Sequence, residues 1–121
     1  MTCQVQVKQL KSTVDEDWWT KQDPYIVVKQ GSKQLIKTPV KNEGGKNVSW
    51  TNQKFTYKIK NLNEMVTFTA TDQDPIWDDQ IGSGSIKASD LCPLGKNKDH
   101  KVQIKKDGKH RGYIYVRTTR V

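Results

Sequence analysis

The chain has 121 residues, of which 33% are hydrophobic and 28% charged, enough for one domain, residues 1–121, around a modest core. Its net charge of +8 favours anionic partners. No apolar run approaches the ~20 residues that span a bilayer, and the opening MTCQVQVKQLK alternates in polarity instead of forming the apolar stretch of a secretory leader. The expectation is a soluble cytoplasmic protein.

Period-two alternation is the main structural signal along the chain. Cys3, Val5 and Val7 alternate with Gln4, Gln6 and Lys8 and predict a first half-buried strand. YIVVKQ from Tyr25 and KQLIKT from Lys33 predict two more, joined by a hairpin at Gly31-Ser32, where glycine tolerates the positive φ of a tight turn. A longer loop is expected over Asn42 to Asn47, with Gly44-Gly45. Phe55, Tyr57 and Ile59 predict a fourth strand, and Val66, Phe68 and Ala70 a fifth. IGSGSIKA from Ile81, KVQIKK from Lys101 and the alternation around Ile114 and Val116 complete a count of about eight. SDLCPLG near Ser89 predicts a short helical turn that Pro93 stops. Eight short strands with no long helical period predict an all-β, eight-stranded antiparallel sandwich.

Cys3 and Cys92 lie far apart and form no CxxC pair, so two reduced structural thiols are expected in a cytoplasmic chain. His100 and His110 stand apart from any cysteine cluster; solvated surface histidines are expected, with no zinc site.

Charge is distributed unevenly. Eight of the thirteen acidic residues fall in two windows: Asp15, Glu16, Asp17 and Asp23, then Asp72, Asp74, Asp78 and Asp79. Between Pro24 and Thr71 the chain carries eight lysines against only Glu43 and Glu64. Each acidic window lies in a loop between predicted strands. If the loops share one end of the sandwich, their carboxylates converge and raise one another's pKa unless a cation neutralises them. Hard oxygen ligands on loops suit calcium. An EF-hand beginning at Asp72 fails, because Trp77 then stands where glycine is required and Ser83 where the bidentate glutamate belongs.

These residues resemble a C2 domain over essentially the whole chain. Asp17 lies six residues before Asp23 of Asp23-Pro24-Tyr25, as in the family's first calcium loop; KNVSWTNQKFTY from Lys46 is similar to the family's N-P-x-W-N-E-x-F-x-F, with Trp50 and Phe55 as core residues and Val48 in place of the usual proline. DQDPIWDDQIG, residues 72–82, resembles the third loop's D-x-D…D-D-x-I-G, one residue shorter than in many members. The resemblance implies side-chain calcium ligands at Asp17, Asp23, Asp72, Asp74 and Asp79, with Asp78 the alternative to Asp79, and carbonyl ligands from Glu16 and Gln73. Trp18, Trp19, Ile76 and Trp77 then crown the calcium site, and tryptophan favours the membrane interface. Bound calcium would remove the acidic loops' repulsion from anionic phospholipid. Lys37, Lys54 and Lys58 match the lysine-rich strands with which protein kinase C relatives hold phosphoinositide.

No Ser/His/Asp, Cys/His or glycine-rich phosphate constellation suggests an enzyme. The rival readings are a calcium-independent protein- or phosphoinositide-binding module, and an OB-type nucleic-acid module with a basic sheet and exposed aromatics. Nucleic acid is not expected, because three of the four tryptophans lie in acidic loops that repel phosphate.

Overall fold

The computed structural model describes residues 2–13, 21–93 and 97–120. Nine strands and one helical turn follow in the order β1 (Thr2–Ser12), β2 (Pro24–Gln30), β3 (Lys33–Lys37), β4 (Asn47–Ser49), β5 (Lys54–Lys58), β6 (Met65–Asp72), β7 (Asp79–Lys87), α1 (Ala88–Leu91), β8 (Lys98–Lys106) and β9 (Lys109–Arg120). The expected β-sandwich is present, with one strand more than expected. That extra strand, β4, is only three residues long and is fixed by pairing Val48 with Leu10 on β1, a contact that local pattern does not encode.

All pairings are antiparallel, in the order β3-β2-β6-β7-β8-β9-β1-β4, with β5 also paired to β1. The sheet curls on itself. Its halves, β3-β2-β6-β7 and β8-β9-β1-β4/β5, are joined at the single bridge Ser83–Lys105. Glycine permits that junction: a Cβ on Gly84 would lie 2.0 Å from the carbonyl oxygen of Gln103. Apolar residues on alternate positions line the space between the halves, with Val5, Val7, Ile26, Val28, Phe68, Ile104, Ile114 and Val116 all buried. Burial of each such side chain contributes about 1.5–3 kcal/mol. A register shift between Val7 and Gln9 resets the alternation of β1, so Leu10 and Ser12 also face inward.

Because β1, β3, β6 and β8 run toward one end and their partners run away from it, the end of β1, the start of β2, the 38–46 and 73–78 connections and the Asp107-Gly108 turn share that end. The opposite end carries the Gly31-Ser32 turn, the 59–64 connection and α1, which forms where the helical turn is expected.

Three expectations about single residues are corrected or sharpened. Cys3 and Cys92, expected as reduced thiols, are joined in a disulfide, with Cα atoms 6.1 Å apart and both side chains buried. Their separation of 89 residues hid a proximity that the β1 register and α1 create. His100, expected in solvent, is buried and hydrogen-bonded to the Thr118 hydroxyl, which in turn donates to the Leu91 carbonyl. Burial holds its imidazole below the usual histidine pKa. Trp50 is buried as expected, with its indole N–H donating to the Pro39 carbonyl at 2.8 Å, while Phe55 is half-buried.

Candidate functional site

β6 and β2 deliver two of the expected carboxylates to the same place. Asp72 ends β6 and pairs across the ladder with Pro24, the first residue of β2, so Asp23 lies beside it. The Asp23 N–H donates to Asp72 Oδ1 at 2.7 Å, and the Gln73 N–H donates to the Asp23 carbonyl at 3.0 Å. These bonds lock the base of the 73–78 loop to the start of β2. Asp23 Oδ1 accepts the Glu43 N–H at 2.5 Å, tying in the 38–46 connection.

Asp79 begins β7 and stands directly opposite Asp72. Directly opposed residues bring Cβ atoms to about 5 Å, and like charges so placed destabilise the pair unless a counter-charge joins them. Alternation sends the neighbouring Asp78 to the other face. There its Oδ2 accepts the Tyr25 hydroxyl at 2.5 Å and its Oδ1 the Asp74 N–H at 3.2 Å. The Tyr25 hydrogen bond, with that backbone N–H, holds the Asp78 carboxyl below its usual range, while burial and then the Asp78 bond push the Tyr25 phenol up. Asp74 Oδ1 accepts the Ile76 N–H at 3.1 Å and shapes the loop tip. A cavity of about 310 Å³ is lined by Asp23, Gln73, Asp74 and Pro75.

Above these carboxylates Ile76 is 78% and Trp77 72% exposed. A core this short of apolar residues nonetheless leaves two large ones in solvent at one loop tip, and such exposure marks an interaction site. Glu16, Asp17, Trp18 and Trp19 lie outside the described residues.

The donor set at this end is entirely hard oxygen, which suits calcium and its six to eight ligands. Among the described residues no three carboxylates, cysteines or histidines gather closely enough to hold a metal. Asp72 opposite Asp79, with Asp23 beside it, is the acidic grouping that the described residues bring together.

The three lysines do not form one cluster. Lys37 ends β3 with its ammonium 4.7 Å from the centroid of the Tyr25 ring, beside a cavity of about 290 Å³ that Lys29, Gln34, Thr69 and Thr71 also line. Lys54 and Lys58 are exposed on β5, opposite Gln6 and Thr2 of β1 in the other half of the sheet. Tyr25 was legible only as part of the Asp-Pro-Tyr motif. Its double contact, with Asp78 and Lys37, depends on a register that the sequence does not display.

The C2 domain family profile matches residues 1–105. The chain belongs to the C2 family. Among solved structures, this C2 domain superposes on the first C2 domain of plant Extended Synaptotagmin 1 with a TM-score of 0.82 at 20% identity, covering 97% of this chain and 91% of that one. It superposes on a structure described as a C2 domain with a TM-score of 0.76 at 20% identity, covering 100% and 99%. A calcium-bound structure of the two tandem C2 domains of Extended Synaptotagmin 2 gives a TM-score of 0.79 at 17% identity, covering 98% of this chain and 45% of that one. At such identities the likeness concerns fold alone. No curated protein sequence matches the chain. Among the described residues no helix is long and apolar enough to cross a membrane.

Proposed function

We propose that this chain, as one C2 domain over residues 1–121, binds calcium and thereby docks peripherally on anionic phospholipid membranes. The observation that carries the reading is the stacking of functions at one loop. Asp72 faces Asp79 beside Asp23 at its base, and Ile76 and Trp77 stand exposed at its tip. Asp17, with the Glu16 carbonyl, completes the calcium shell begun by Asp23, Asp72, Asp74, Asp79 and the Gln73 carbonyl. Asp78 is set aside for Tyr25, because its two oxygens already accept hydrogen bonds on the other face.

The residues divide the work. The carboxylates repel anionic lipid until calcium neutralises them. Trp77 and Ile76, with Trp18 and Trp19, then enter the interface, where each large side chain gains on the order of 2 kcal/mol by burial. The chain acts as a binding module and not as an enzyme. Recruitment from the cytoplasm is part of this reading, although a reducing cytosol would leave Cys3 and Cys92 as free thiols.

A second reading concerns the Tyr25 cavity. Lys37 and Lys29 present cations at this cavity that suit a phosphorylated headgroup, and phosphoinositide is the proposed ligand. Lys54 and Lys58 extend the basic surface on the other half of the sheet.

Co-sedimentation with phosphatidylserine vesicles tests the main reading. Binding is expected with calcium and not with chelator, and Asp74→Asn is expected to raise the calcium requirement at least tenfold, about 1.4 kcal/mol. Equal sedimentation in calcium and chelator overturns it.

A further inference from the structure

The β8–β9 hairpin carries a second charged feature that the calcium loops do not explain. Residues 101–111, KVQIKKDGKHR, hold Lys101, Lys105, Lys106, Lys109 and Arg111 against Asp107 alone. Asp107 and Gly108 make the turn, both with positive φ. Lys101, Lys105 and Lys109 are exposed, and Lys106 is half-exposed. Among the described residues no carboxylate pairs with any of these four lysines.

The placement of this hairpin matters more than its charge. Lys105 pairs with Ser83, and from that bridge β7 extends four residues to Asp79 while β8 turns after two. The hairpin tip therefore lies about two residues, or roughly 7 Å, behind the mouth of the 73–78 loop. A Debye length at physiological salt is about 8 Å. With the domain upright these lysines stand more than that length behind a surface touched by Trp77, and a tilt toward β8–β9 brings them into contact with it.

The outer face behind the tip fits a bilayer better than nucleic acid. Tyr113 carries the Lys101 ammonium 4.1 Å from its ring centroid and the His110 ring at 5.0 Å, and Tyr115 carries the Lys11 ammonium at 5.5 Å. Ring faces already capped by the protein's own ammonium groups offer no stacking platform to a base. Tyrosines with lysines reaching past them suit a headgroup layer, where the ring is half-buried and the charge stays wet.

We infer that the β8–β9 hairpin, through Lys105, Lys106 and Lys109, is a second membrane contact that takes anionic headgroups and sets the tilt of the docked domain. This rests on the membrane-docking reading and adds to it a surface that needs no metal. The test uses the whole chain and vesicles of phosphatidylserine, with pure phosphatidylcholine as control, in calcium and, at low salt, in chelator. Lys105→Ala, Lys106→Ala and Lys109→Ala together are expected to weaken phosphatidylserine binding roughly 100-fold, about fivefold per lysine. The same charge removed at the opposite end, by Lys33→Ala, Lys60→Ala and Lys87→Ala, is expected to weaken it less than about fivefold in total, since those sites lie beyond the screening length. The corresponding arginine triple at 105, 106 and 109 should bind like the parent, and all variants should melt alike because the side chains are surface-placed.

Equal losses in the two alanine triples would reduce the effect to net charge and overturn the inference, as would a hairpin triple that binds like the parent. Loss in the hairpin triple without any response to calcium would leave the hairpin contact standing and remove the calcium reading. No binding of the parent to phosphatidylserine in either condition would remove both.

Discussion

Each end of the sandwich has a tyrosine that donates to a carboxylate, and the two pairs differ in what surrounds them. At the end away from the loops, buried Tyr57 donates to Glu64, which also accepts Gln30 Nε2 at 2.7 Å and the Lys60 N–H at 3.1 Å. At the loop end, Tyr25 donates to Asp78 on the surface, with Lys37 stacked nearby. The first pair closes a chain reversal and leaves its carboxylate saturated. The second turns one aspartate of an Asp-Asp pair away from its neighbour, so that Asp79 is left facing Asp72. One end closes on a saturated carboxylate, and the other sets Asp79 opposite Asp72.

The largest expected effect breaks the end away from the loops. Replacing Cys3 and Cys92 with serine removes a cross-link closing a loop of 89 residues, and the loss is on the order of 4 kcal/mol in denaturant unfolding. The parent in reductant should unfold at the same lower midpoint. Unchanged midpoints in both would show that the bond contributes nothing to this fold.

Next in size is Glu64→Gln, with an expected loss of about 2 kcal/mol near neutral pH, because a charged acceptor of several bonds is removed from a half-buried site. The pH dependence has a definite sign. Burial raises the Glu64 carboxyl, but the Tyr57, Gln30 and backbone hydrogen bonds outweigh it and hold it below its ordinary 4.5. Its contribution is therefore full above about pH 4.5 and is lost as pH falls through the folded-state value. Parent and Glu64→Gln should converge in stability at acid pH; a gap that stays constant down to pH 3 contradicts the assignment.

Smaller effects sharpen the other side. Asp79→Asn should weaken calcium binding at least tenfold by calorimetry, whereas Asp78→Asn should change it less than about threefold. Reversed magnitudes would mean that the Tyr25 bond gives way on metal binding.

How much of this was legible depends on how far each feature relies on register. Eight strands follow from alternation that survives in the core, as at Val66, Phe68 and Ala70. The burial of His100 was readable too: it continues the inward phase of Val102 and Ile104, a signal outweighed by the habit of placing histidine at the surface. The Asp107-Gly108 hairpin between Lys105-Lys106 and Lys109 was likewise present in plain view as an Asp-Gly turn. That Asp79 and not Asp78 stands opposite Asp72 was not readable, because it depends on the register of β7 against β6. Nor was the disulfide, whose partners meet only once β1 and α1 are packed.

The most direct measurement of the central claim is quenching of tryptophan emission by brominated lipid in phosphatidylserine vesicles, for the parent and for Trp77→Phe. Calcium and vesicles together should quench and blue-shift the parent, calcium alone should do neither, and Trp77→Phe should lose a clear share of the response, while Trp50, buried in the core, contributes none. Quenching that occurs equally in chelator, or that Trp77→Phe leaves unchanged, would contradict insertion of the 73–78 loop on calcium binding.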